Sequence, residues 1–385
     1  MTGDPTTGTA RAPNMHDKIP IPGSERPRPS NSCLVGPVSP EKNIHLNILV
    51  RRRPDAPPVP DLAYWQKTPL SERRYVSPEE YREKYGAMQA DLKVVSEFLN
   101  QHGMRIIEEN LGTRTVSVLT TAAQIKSAFD VQLNHYQTVF PSPKSFKLRP
   151  STNEHAEPEP HAHHGFEGSV HVPSHLEGIL IAVIGLDDRC LPHGRLGVDP
   201  DGAKAIPVET AAALYNFPTT DSSDQTIGII SCQGGYLLSD ITTYFSGKTQ
   251  PTLVDIPLLA NGVTWTNQGS QVNLVTSSNF GQFLPLVETT CDIQVAGTVA
   301  RGCTINMYFT TNTEMGWQVF LNRILQPQSG ERQPTMVSCS WTLELMDDKP
   351  IRPGTSIAGL TNFAVLSSLF QDLAFQGINV FTDTG

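Results

Sequence analysis

The sequence has no apolar run approaching the ~20 residues that a membrane-spanning helix requires, so a membrane partner is not expected. Basic residues are in deficit: 29 Lys and Arg stand against 38 Asp and Glu, a net charge of −9. No basic face is available to neutralise phosphates, which argues against a nucleic-acid partner. The Arg51-Arg52-Arg53 run abuts Pro54 and reads as a solvated strand end. Cysteine is scarce too. Cys33, Cys190, Cys232, Cys291, Cys303 and Cys339 are scattered, without a C-x-x-C or a Cys/His pair at zinc spacing. That excludes the common zinc modules and a disulfide framework, and leaves buried thiols with room for one or two bridges. Residues 1–15 lack the apolar core of an ordinary secretory signal.

What is present fits a chain of two or three domains, with 385 residues of which 38% are hydrophobic and 17% charged. Residues 1–42 are Pro-, Ser- and Thr-rich without periodicity and read as a disordered lead. Order is expected from Asn43, where Asn43 to Val50 alternates as a strand does. Ser77-Pro78-Glu79-Glu80 has the form of a capping box, as does Thr121-Ala122-Ala123-Gln124. Leu92, Val95 and Leu99 recur at helical spacing before Gly103. With strands at 104–108, 115–119 and 131–136, the pattern makes an α+β, ferredoxin-like unit. Polar, His-rich residues 141–169 read as a linker, and Leu180 to Leu186 as a run that rejoins the small domain. The first expected domain thus spans 43–190, followed by a Gly/Pro/Asp-rich connection over 191–207.

From 208 to 385 short apolar strands (226–231, 304–309, 336–340 and 378–381) alternate with helical patterns (239–245, 287–299, 315–325 and 360–376). This predicts an α/β domain with a parallel sheet covered on both faces. In such sheets function gathers at the carboxyl ends of the strands. Four segments fall there: Ser231 to Gly235, the approach to Glu288, Ser340-Trp341, and Asp383. Glu288 and Asp292 lie four apart on one helical face, flanked by the apolar residues Val287, Ile293 and Val295. A carboxylate pair in such surroundings can act as a base and its support, although Glu-x-x-x-Asp on a helix is more commonly a solvated face.

Here the motifs become specific. Glu288 to Gly297 followed by Ile305 to Phe309, Ala213 to Pro218, Gly234-Gly235-Tyr236, Ser338 to Trp341, and Asp383-Thr384-Gly385 occur in order. They resemble those of the sedolisin, or serine-carboxyl peptidase, family, and Ser77 to Gly86 resembles its activation prodomain. The resemblance implies a subtilisin-like parallel sheet, C-terminally incomplete, behind an α+β prodomain. It implies a zymogen acting on protein or peptide substrates, with its own prodomain as a partner and an extracellular location. By this resemblance Glu288 is the general base for a serine, Asp292 orients it, and Asp383 donates a proton to the oxyanion, a division of labour suited to acid. Calcium is expected for the complete family domain, with its ligands absent from this chain.

Two departures are expected to matter. Ser231 stands where many members carry an accessory Glu, and the Ser-Gly-Thr-Ser nucleophile motif does not occur after Asp383. The 385-residue chain is therefore expected to be inactive as it stands. Ser356, in a Gly-Thr-Ser that precedes Asp383, reads as a helix cap. The alternative reading is a non-catalytic prosegment-type inhibitor or chaperone of a related protease. His155, His161, His163, His164, His171 and His175 read as a solvated linker or, more sharply, as a pH latch that loosens on charging.

Overall fold

A computed structural model describes residues 17–28, 32–139, 160–190, 206–271, 280–341 and 361–382. In the first half, the strands and helices run β1 (Lys18–Pro20), β2 (Ser32–Pro37), β3 (Asn43–Val50), α1 (Leu62–Lys67), α2 (Pro78–Tyr85), α3 (Gln89–Gln101), β4 (Arg105–Asn110), β5 (Thr115–Thr121), α4 (Ala122–Phe129), β6 (Asn134–Val139), β7 (Pro160–Gly165), β8 (His171–Pro173) and β9 (Leu180–Ile184). Four of these strands form an antiparallel sheet in the order β4-β5-β3-β9. This is the ferredoxin-like arrangement expected, with one substitution. The fourth strand is β9, whereas 131–136 contributes only to β6, which sits between β2 and β7 in a separate sheet.

Two further expectations need correction. The lead is not wholly disordered, because β1 pairs with β8 and β2 with β6. Nor is the His-rich stretch only a linker, because β7 pairs with β6 along its length and buries His163 and His164. Both segments take their order from partners distant in the sequence, so local periodicity carries no sign of it.

Helix ends follow the local chemistry. Thr121 Oγ1 accepts from the Gln124 amide while Gln124 Oε1 accepts from the Thr121 amide at 2.8 Å, closing the capping box of α4. Thr121→Ala is expected to cost about 1 kcal/mol of stability, read as a lower urea midpoint with an unchanged slope. At α2 only half of the expected box forms. Ser77 caps the Glu80 amide, but the Glu80 carboxylate turns to Lys84 and Arg74 instead.

The second half runs α5 (Val208–Leu214), β10 (Thr226–Cys232), α6 (Leu238–Tyr244), β11 (Thr252–Ala260), β12 (Val263–Trp265), α7 (Phe280–Val299), β13 (Thr304–Thr310), α8 (Glu314–Leu325), β14 (Met336–Cys339), α9 (Thr361–Phe375) and β15 (Asn379–Thr382). Its sheet has the order β12-β11-β13-β10-β14-β15, parallel except for the β11–β12 hairpin. Alternation along β10 sorts the two faces. Ile227 and Ile229 pack with Ile241 and Ile293 of α6 and α7, whereas Ile230 and Cys232 pack with α8 and α9. The fold class is the expected one: an α/β sheet behind an α+β unit.

The two halves share a core. On β3, Ile44, Leu46, Ile48 and Val50 turn toward α3 and α4, and Leu49 turns the other way into the cluster around Trp317 and Phe320 of α8. The antiparallel sheet is therefore covered on one face by its own helices and on the other by α8 and α9 of the second half. Asn47 Nδ2 donates to Gln318 Oε1 at 2.9 Å across that contact.

Candidate active site

Along the carboxyl edge of the parallel sheet, the order of strand addition switches sides about β10: β11 and β13 lie on one side, β14 and β15 on the other, all running parallel to it. A crevice at such a point is the place for a ligand in an open α/β sheet. Three of the four sequence segments expected at this edge can be placed.

Ser231, the next inward position on the α7 face of β10 after Ile229, is fully buried. Its Oγ lies 2.8 Å from Thr289 Oγ1. The Thr289 hydroxyl donates to the Pro285 carbonyl at 2.7 Å, so Ser231 must be the donor to Thr289. Ser231 thus ties the strand end to α7 through a hydroxyl pair, not a carboxylate.

One position before Thr289 stands Glu288, half-buried, and one turn further along the same helix stands Asp292, also half-buried. Ser340, just beyond β14, donates from Oγ to Asp292 Oδ1 at 2.8 Å. The structure therefore brings Asp292 and Ser340 together and sets Glu288 on the same helical stripe. Asp383 lies outside the described residues, as does Ser356; Thr382, the last described residue, pairs with Cys339 at the same edge.

The Gly234-Gly235-Tyr236 loop closes the other side. A Cβ on Gly234 would come within 2.6 Å of the Pro285 carbonyl oxygen and 2.9 Å of both Ser231 Oγ and Thr289 Oγ1, so only glycine allows this approach to α7. The Tyr236 amide donates to Asn267 Oδ1 at 2.9 Å and its hydroxyl to Asp255 Oδ1 at 2.8 Å, which locks the loop to the β11–β12 hairpin. Thr289, Asp255 and Asn267 were not singled out from sequence. Thr289 had a readable signal, since it follows Pro285 by four residues and so shares its helix face.

Thiol chemistry has no support here. Partial burial, then the charges of Glu288 and Asp292, raise the Cys291 pKa, and burial takes Cys190 up to about 11. A reactive cysteine needs the opposite shift. Cys190 has a different interest. As the last residue described before 206, it places Sγ 4.0 Å from Gln233 Oε1, beside the glycine loop.

Residues 30–189 match the family described as "Pro-kumamolisin, activation domain". The relatives that match almost the whole chain are sedolisin-family peptidases. The chain is 35% identical over 385 residues to tripeptidyl-peptidase sed5 of Aspergillus fumigatus, a match that covers 95% of this chain and 60% of that protein. It is 25% identical over 382 residues to kumamolisin of a Bacillus species, covering 95% of this chain and 61% of the relative. The chain thus spans about 60% of the length of these curated relatives. The activation-domain match falls on the antiparallel-sheet half, and the Glu/Asp helix lies in the other.

Proposed function

We propose that this chain is the proenzyme form of a serine-type endopeptidase of the sedolisin family acting on proteins at acidic pH outside the cell, with Glu288, Asp292 and Asp383 as its catalytic carboxyl groups. The observation that carries the reading is the Ser340–Asp292 hydrogen bond, which fixes the Glu/Asp helix against the carboxyl edge of the sheet.

In this reading Glu288 takes the proton of a serine hydroxyl as that oxygen attacks the peptide carbonyl. Asp292 holds Glu288 in place, and Asp383, protonated, donates to the oxyanion. Glu288 then returns its proton to the departing amine. A base that must be ionised and a donor that must not be are compatible in acid, where no imidazole base is needed. The connection over 191–207 is the proposed processing segment, supported by Cys190 lying beside the site.

Calcium belongs to this proposal through the family resemblance alone. Among the described residues no group of three or more His, Cys, Asp or Glu side chains could hold an ion. They do not fit a metal site, and no step is derived through one. Among the same residues, no helix is long and apolar enough to cross a membrane.

The test is to express the complete coding sequence and analyse the products it forms from long peptides at pH 4 and pH 7. Internal cuts at pH 4 support the endopeptidase; release of tripeptides from the amino terminus favours the activity named for the fungal relative; no cleavage in acid overturns both. Ser340→Ala is expected to lower kcat/KM about tenfold and to move the acid limb of its pH profile, because Asp292 loses its orienting donor. An unchanged profile would make Ser340 merely structural.

A further inference from the structure

The contact between the prosegment and the parallel-sheet half contains one fully desolvated charge. Asp372 of α9 has no solvent exposure, and it lies on a helix whose neighbouring inward residues are Leu369, Leu373 and Phe375. All of the hydrogen-bond donors identified for it come from the prosegment. Arg52 Nη2 is 2.6 Å from both Oδ1 and Oδ2, and the Tyr81 hydroxyl donates to Oδ2 at 2.6 Å. Arg52 Nη1 in turn donates to the Tyr81 oxygen at 2.7 Å, which closes a three-membered network. Arg52 is thus no solvated strand end.

A second guanidinium stands behind the first. Arg114, in a left-handed turn with φ 59°, is buried, and its Nη1 reaches the Val50 carbonyl at 3.3 Å. Its Nε has no hydrogen-bond partner. Burial, then the charge of Arg52, lower its pKa, with Tyr81 and Asp372 pulling the other way. One carboxylate therefore faces two cations, Arg114 buried and Arg52 partly exposed. Around it the interface is neutral or partly wet: Asn47 to Gln318 at 2.9 Å, Gln326 to the Pro78 carbonyl at 2.9 Å, and Arg26 to Glu314 at 2.9 Å with both side chains partly exposed. A desolvated anchor ringed by weaker contacts is the usual anatomy of a binding hot spot.

We propose that the α8–α9 face centred on Asp372 is a charge-read docking site, which selects a prosegment bringing the Arg52–Tyr81–Arg114 group to its one carboxylate. Association here is independent of peptide cleavage at the other edge, so the docking site stands or falls separately from the proposed chemistry. The physical basis is that an ion pair broken on one side leaves a buried charge uncompensated. Here the loss of Asp372 leaves Arg52 without its paired carboxylate and the buried Arg114 with only a cation beside it.

The test uses the full chain with a specific-protease sequence in place of residues 196–202. After that cut, the two pieces of the unsubstituted chain are expected to co-elute at pH 7 and to give a measurable dissociation constant on dilution. D372N keeps the shape and removes the charge, and is expected to weaken association at least a hundredfold. R52K keeps the charge but loses the paired geometry, and is expected to weaken it about tenfold. Co-elution of cut D372N with a dissociation constant within threefold of the parent would overturn the proposal. So would separation of the parent's own pieces. Should D372N fail to fold, R52K and Y81F, which leave the parallel-sheet half unaltered, decide the matter, and unchanged affinity in both rejects the site.

Discussion

Replacing Glu288 by glutamine in the complete proenzyme is expected to lower kcat/KM by about 10³-fold, with KM nearly unchanged and the fold intact. Glutamine preserves the length and polarity of the side chain, so a half-buried position on α7 tolerates it. What it loses is the capacity to take a proton from the attacking serine. Since that capacity matters only as the bond forms, the loss falls on kcat and not on binding. D292N is expected to lose less, about 10- to 100-fold, because Ser340 can still donate to the amide oxygen and only the electrostatic support of Glu288 is removed. Self-processing gives a second readout, since the E288Q chain should keep its prosegment joined through 191–207. A melting temperature equal to the parent's together with retained activity within tenfold would move the base elsewhere. Carboxyl groups in the same cleft would then need testing one by one, starting with Asp255, which accepts from Tyr236.

Much of this architecture was readable in the sequence, and the failures have identifiable causes. Helices with strong caps or a glycine stop were placed within a few residues: α4 behind its Thr121 box, and α9 ending before Gly377, whose φ of 80° suits glycine alone. The Glu/Asp helix and the strand ends around it were legible because motif order constrains them together. The strand β11 was missed. Its sequence contains Asp255 and Pro257, which lower strand propensity, yet Pro257 is tolerated because the hairpin partner β12 pairs only with 258–260. The hairpin did have a signal, in the Asn261-Gly262 pair with φ of 51° and 79°. The role of Arg52 was hidden for a different reason. Three consecutive arginines look solvated, and only Asp372, 320 residues away, shows that the middle one is an interface anchor.

The histidine reading divides in an instructive way: His164 goes against it, while His163 and a histidine outside the cluster go with it. His164 is buried, which opposes its charge, but Asp188 at 2.8 Å outweighs that and its pKa lies above the usual value. Its contribution is therefore present in acid and lost as pH rises, the opposite of a latch that opens on charging. His155 lies outside the described residues. His45 has the required sign. It is 3% exposed, on the β3 face turned toward the second half, with Nε2 2.7 Å from Ser117 Oγ, and burial lowers its pKa to about 4. Unfolded, it would bind a proton near pH 6.5. As pH falls from about 6.5 to about 4, the unfolded state gains that proton and the folded state does not, so stability falls by about 3 kcal/mol from this group. His163, also lowered by burial, adds in the same direction.

In urea titrations at pH 7 and pH 4, H45Q is therefore expected to lose about 3 kcal/mol less than the parent. Equal losses in the two proteins would show that His45 titrates normally and is not shielded. The location gives the result its meaning. Gly262 of the second half approaches His45 closely enough that a Cβ there would lie 3.8 Å from the His45 Cβ. The cost of acid thus falls on the surface where prosegment and parallel sheet meet. A group that must stay neutral to remain packed there makes the contact between the two halves weaker in acid, the condition proposed for the enzyme's activity.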